Sequence, residues 1–153
     1  MTSATAPKTI DLYGTGIQNE AACVDAAITP GMLLTRSASG VRPHNVAGGE
    51  ASPAFAVEND LVGGDISDDY AIGADVIYRT FAPGSAVYAL AHAGGAAIAK
   101  NAFLTSAGDG TLELVGDDQV AVAQALEAVD NSGGGTAVRI KVEVIDAHRT
   151  APA

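Results

Sequence analysis

Val138-Arg139-Ile140-Lys141-Val142-Glu143-Val144 alternates β-branched aliphatic residues with charged ones, the period of a strand with one face buried and one in water. Such a strand needs a core to lie on, so the rest of the chain is read for the other walls of that core. The remaining apolar runs are short and end at Gly, Asp, Asn, Ser or Pro. They predict strands at Thr9 to Tyr13, Met32 to Arg36, Val41 to Val46, Ala54 to Glu58, Val76 to Phe81, Ala86 to Ala91, Ala102 to Thr105, Thr111 to Val115, Val120 to Val129 and Ala137 to Ile145. About ten short strands with little helix make an all-β fold, a β-barrel or a β-sandwich. Ser106-Ala107-Gly108-Asp109-Gly110 reads as a hairpin turn, with Asp-Gly supplying the positive φ that a tight turn requires. Ser37-Ala38-Ser39-Gly40 reads the same way.

These hairpins belong to a longer internal similarity. A shift of 70 residues places Ile28 on Ile98, Leu34 on Leu104, Thr35 on Thr105 and Gly40 on Gly110. After a slip of one residue, Ala56-Val57-Glu58 falls on Ala125-Leu126-Glu127. A genuine repeat implies pseudo-symmetry between two halves of the barrel or sandwich. Helix is scarce: Gln18 to Ala27 and Gly94 to Asn101 offer short helical patterns, neither with a cap followed by sustained periodicity. The expected organisation is an extended N-terminal arm over residues 1–20, a β-rich domain over 21–146 and a short C-terminal tail over 147–153.

Composition narrows the function. The chain has 153 residues, enough to remove about 70% of the unfolded surface from water. Its 31 Ala and 18 Gly make each buried position contribute little area, so the core is expected to be thin and completed by other copies of the chain. Eight Lys and Arg against 18 Asp and Glu give a net charge of −10, which repels phosphate backbones and argues against nucleic acid as a partner. No apolar run approaches the roughly 20 residues of a membrane-spanning helix. Met1 to Pro7 lacks the basic and apolar parts of a signal peptide. The expectation is a soluble protein made inside a cell, with no membrane partner.

Chemistry is hard to find. Neither G-x-x-x-x-G-K-[ST] nor G-x-G-x-x-G nor G-x-S-x-G occurs. Cys23 is the single cysteine, which excludes an intrachain disulfide and a Cys-based zinc site, and no His or Lys adjoins it to activate the thiol. His44, His92 and His148 form no ligand pair in sequence; His92 is a candidate for an interface. Asp60, Asp65, Asp68, Asp69 and Asp75 supply five carboxylates, but Asp65-Ile66-Ser67-Asp68-Asp69-Tyr70 does not follow a calcium-loop pattern and reads as a solvated acidic loop. Lys100, in Ile98-Ala99-Lys100-Asn101, is the candidate for a carrier attachment, though it reads as preceding a strand. The expectation is therefore no enzyme, no metal and no cofactor.

Five strings carry a resemblance in their order: Ile28-Thr29-Pro30-Gly31-Met32-Leu33-Leu34, Ala56-Val57-Glu58-Asn59-Asp60-Leu61, Pro83-Gly84-Ser85-Ala86-Val87-Tyr88-Ala89-Leu90, Ala107-Gly108-Asp109-Gly110-Thr111-Leu112 and Ala125-Leu126-Glu127-Ala128-Val129-Asp130. Across roughly residues 28–145 the chain resembles the small capsid decoration, or cement, proteins of tailed bacteriophages. The resemblance implies a β-rich, commonly homotrimeric virion protein. It would be synthesised in the host cytoplasm, sit on the outer capsid surface and stabilise the lattice of the major capsid protein. Within this reading Met1 to Gly16 serves attachment, with Gly14-Thr15-Gly16 as a flexible joint that lets Ile10, Leu12 and Tyr13 lie on a neighbouring subunit. The alternatives are a carbohydrate- or surface-binding β module, which wants exposed aromatic residues, and a carrier or enzyme domain built on Lys100.

Overall fold

The computed structural model describes residues 6–153. Residues 1–5 of the expected arm lie outside the described residues. The described chain forms eleven strands: β1 (Asp11–Tyr13), β2 (Gly16–Ala22), β3 (Leu34–Ser37), β4 (Gly40–Pro43), β5 (Ala54–Ala56), β6 (Asp75–Phe81), β7 (Ala86–Ala91), β8 (Phe103–Ser106), β9 (Leu112–Leu114), β10 (Val120–Ala125) and β11 (Val138–Arg149). One 3-10 turn, Asp60–Val62, is the helical element among them. The all-β expectation is correct.

Strand pairing divides the chain into two rings of the same order. In the second half β7, β11, β10, β8 and β9 pair in sequence, and β9 returns to β7 through a parallel contact of Leu112 with Ala91. In the first half β2, β6 and β5 form one sheet and β3 pairs with β4. Leu33 bridges to Phe55, and Cys23 bridges in parallel to Val41, which closes the same circuit β2–β6–β5–β3–β4. The 70-residue similarity is thus structural, and individual hydrogen bonds obey it. Ile28 exchanges backbone bonds with Tyr70 as Ile98 does with Val129. The amide of Gly31 donates to Ala56 O at 2.8 Å, and that of Asn101 donates to Ala125 O at 2.8 Å. Both donors sit at positive φ, 97° for Gly31 and 70° for Asn101, so the tight turn before each hairpin is kept even where the glycine is not.

Small side chains suit so narrow a ring. Cys23, Ile28, Leu34, Val41, Ala54, Ala56, Tyr70, Val76 and Tyr78 pack together in the first half. Their counterparts Ile98, Leu104, Leu112, Ala123, Ala125, Ile140 and Val142 lie in a larger cluster, which Leu33, Phe55, Val57, Ile77 and Phe81 of the first half also join. The two halves therefore share one apolar seam. Phe55 and Phe81 meet there edge to face at 6.1 Å. In β11, Ile140, Val142 and Val144 are fully buried as the alternation requires, while Val138 at the strand start is 37% exposed.

Several expectations need correction. Gly16–Ala22, read partly as arm and partly as helix, is the strand β2, because all seven residues pair in unbroken register with β6. The tail over 147–153 is largely absorbed into the fold: β11 continues to Arg149, paired with Val120, and the Thr150 hydroxyl donates to Gly116 O at 2.7 Å. Gly94 to Asn101 forms turns and not a helical turn. The β8–β9 hairpin keeps the expected Asp-Gly turn: Gly110 lies at φ 86°, Gly108 adds a second positive φ of 89°, and the Asp109 carboxylate accepts from the Thr111 amide at 3.0 Å.

Candidate functional site

The three residues expected to reach a neighbouring subunit do not share one fate. Ile10 is fully buried and Leu12 packs against the shared core. The Ile10 amide donates to Glu58 Oε2 at 3.1 Å, and its carbonyl accepts from the Tyr88 amide at 2.8 Å. Strand β1 is in fact the outer strand of the second ring, antiparallel to β7. Tyr13 alone remains at the surface, 57% exposed. The flexible joint is also corrected. Thr15 N donates to Ser85 Oγ at 3.0 Å, Ser85 Oγ donates back to Thr15 O at 3.1 Å, and Gly14 lies at φ 107° with room for no side chain against Ser85. These contacts fasten the segment where the sequence suggests a hinge.

The titratable groups are mostly used internally. His44 is buried between the two hairpins, with Nδ1 2.6 Å from Ser106 Oγ and Nε2 2.8 Å from Glu50 O. The carbonyl can only accept, so Nε2 carries a proton and donates to it. His92 stands 3.1 Å from Thr111 Oγ1 and 3.3 Å from Asp109. Burial alone would raise the pKa of Asp109, but the donors of Thr111 together with His92 outweigh it and hold the carboxyl below its ordinary value. His148 meets the Phe103 ring edge-on at 5.3 Å. Cys23 is buried, its thiol donates to Ala26 O at 3.1 Å, and burial pushes its pKa up, the opposite of an activated nucleophile.

In the acidic loop the carboxylates serve the loop itself. Asp65 accepts from the Ser67 amide and hydroxyl, which hold its carboxyl below the usual range, and Asp68 accepts from the Asp65 amide at 2.8 Å. Arg139 of β11 reaches across to donate to Ile66 O at 2.5 Å and to Pro30 O, and its guanidinium lies 5.9 Å from the centre of the Tyr88 ring. The loop is therefore docked on the second ring. Among the described residues no three His, Cys, Asp or Glu side chains converge as a metal site would require. Lys100 is exposed within a turn closed by Ala102 N to Ala99 O at 3.1 Å, a turn position that the sequence reading missed.

The surface also carries exposed apolar side chains, spread over several elements. Ile17 of β2 is 71% exposed, and Leu61 and Val62 on the 3-10 turn are 83% and 79% exposed. Leu61 shares a cleft of about 180 Å³ with Gln18 of β2. The arginine of this cleft, Arg79, is already paired: it contacts Asp11 at 2.5 Å and donates to Gln18 Oε1. Gln18 to Glu20 carries no motif, and only its place in the ring marks it. Compared with protein-family models and with curated proteins, the chain matches none.

Proposed function

We propose that the chain is a non-enzymatic virion structural protein, which binds the outer surface of a bacteriophage capsid as a homotrimer and stabilises the lattice of the major capsid protein. The observation that carries this reading is the ordered series of turn and strand strings between Ile28 and Asp130, which resembles the capsid decoration proteins. Acidity supports it: a net charge of −10 suits an outer surface and opposes contact with packaged nucleic acid. The carbohydrate-binding alternative has less to stand on, since Tyr70, Tyr78 and Tyr88 are buried.

The test is to add the purified protein to expanded shells that lack it. Sedimentation of the protein with the shells and regular extra density on their outer face in negative stain are expected, with the shells surviving heating better when decorated. Protein that stays in the supernatant overturns the reading. Sedimentation analysis that finds a monomer both free and on the lattice overturns the trimer.

A further inference from the structure

The two rings differ at one edge. In the second ring the outer edge of β7 is covered: Tyr88 N donates to Ile10 O, and Asp11 and Tyr13 pair with Val87 and Ala86. The 70-residue counterpart of Tyr88 is Gln18 in β2. Thr15 O accepts from Ala82 N at 2.9 Å and Cys23 N donates to Ala74 O at 2.7 Å, so the odd-numbered backbone groups of this stretch face β6. By the alternation of an antiparallel ladder, the N–H and C=O groups of Gln18 and Glu20 face outward. Among the described residues no strand pairs with them. The edge is unguarded, with no proline, lysine or bulge in β2.

We propose that this open edge at Gln18–Glu20 is a docking site for an extended strand of another protein that carries a lysine or arginine. On the reading of the preceding section, that protein is the shell subunit. The cleft beside Gln18 is lined by Val57, Leu61 and Ile77 together with Glu58 and Asp60, a combination that takes the apolar stem of a long basic side chain and its charge together. Glu58 and Asp60 line the same cleft, and Glu20 lies two residues along β2 from Gln18, which also lines it. The cation in the cleft, Arg79, is held by Asp11. Charge therefore selects the occupant. A second copy would set these carboxylates against their own images, whereas a basic strand gains main-chain bonds and neutralises them.

A short peptide of alternating Val and Lys, and a Val/Glu counterpart, are titrated into the isotope-labelled full chain. The Val/Lys peptide should shift the amides of Gln18 and Glu20 more than that of Asn19, and bind at least about tenfold tighter than the Val/Glu peptide. Gln18→Pro, which removes an outward donor and leaves the β6 ladder intact, should weaken binding about tenfold; Glu20→Lys with Asp60→Lys, both at exposed positions, should do the same without touching the backbone. Equal affinity for the two peptides, or shifts confined to other residues, overturns the proposal. On shells, carbodiimide cross-linking should join Glu20 or Asp60 to a lysine of the shell subunit. Cross-links of Glu20 or Asp60 to Lys8 or Lys100 of a second copy overturn the assignment of the partner. A protein that takes the peptide at β2 yet ignores shells overturns the capsid reading and keeps the edge site.

Discussion

β2 and β7 hold the same place in two rings of the same order, but the outer edge of β7 is covered by β1, whereas that of β2 is open at Gln18 and Glu20. The difference extends inward. At the matching bridge the second ring has Val129 where the first has Tyr70, whose hydroxyl donates to Val57 O at 2.6 Å. Its last strand, β11, runs twelve residues against seven for β6. In the first ring the segment between β5 and β6 is longer and holds the acidic loop and the exposed Leu61 and Val62. A duplicated ring allows one copy to have its outer edge covered by β1 while the other keeps that edge open.

The contrast breaks most completely at β11. Ile140→Asp places a carboxylate where the side chain is fully buried, at a cost of several kcal/mol, on the order of the whole stability of a domain. No soluble folded protein is expected, whereas Lys141→Asp on the opposite face should fold; circular dichroism of both variants checks this. Ile10 and Ile17 sharpen the comparison, because one covers β7 and the other lies on β2. Ile10→Ala should cost about 2–5 kcal/mol in urea unfolding, and Ile17→Ala less than about 0.5 kcal/mol. For the same reason, deletion of residues 1–16 should destabilise the fold, since it removes β1. Arg139→Ala, which takes two donors from Ile66 O and Pro30 O, should cost about 1–3 kcal/mol and speed amide exchange in the acidic loop. Arg139→Lys should recover only part of this, because an ammonium lacks the planar fork.

The smallest effect belongs to Tyr70. Tyr70→Phe should cost about 1 kcal/mol near neutral pH. Burial raises the phenol above its ordinary value of 10.0, so folding favours the neutral form. That stabilisation is fully present below about pH 10 and is lost as pH rises through the folded-state value, when the unfolded chain ionises first. Melting curves of the parent protein should therefore fall more steeply above about pH 10 than those of Tyr70→Phe.

Much of the fold is legible in the residues. Val138 to Val144 shows its period directly, and the register of Ile28 on Ile98 extends to matching hydrogen bonds. β2 is not legible by pattern: Gly16-Ile17-Gln18-Asn19-Glu20-Ala21-Ala22 has one large apolar residue, and Ala21 falls at helical spacing with Val24 and Ala27. It is a strand because β6 pairs with it, a tertiary influence that overrides propensity. The polar Asp146 to Arg149 extends β11 for the same reason, through Val120 and Ala121. Ile10 and Leu12 look alike as exposed anchors or core residues, since three apolar side chains in a short strand do not say which surface they cover. The open edge has one signal in the sequence, the 70-residue shift carried back from Ile28, which sets Gly16–Ala22 on Ala86 to His92.

Amide hydrogen exchange at Gln18, Asn19, Glu20 and Tyr88 tests most directly whether the two rings differ at this edge. In the free protein, Gln18 and Glu20 should exchange quickly while Asn19, which faces β6, and Tyr88, which donates to Ile10, are protected; on decorated shells Gln18 and Glu20 should become protected too. Protection of Gln18 equal to that of Tyr88 in the free protein, or no change at Gln18 and Glu20 on shells, would contradict it.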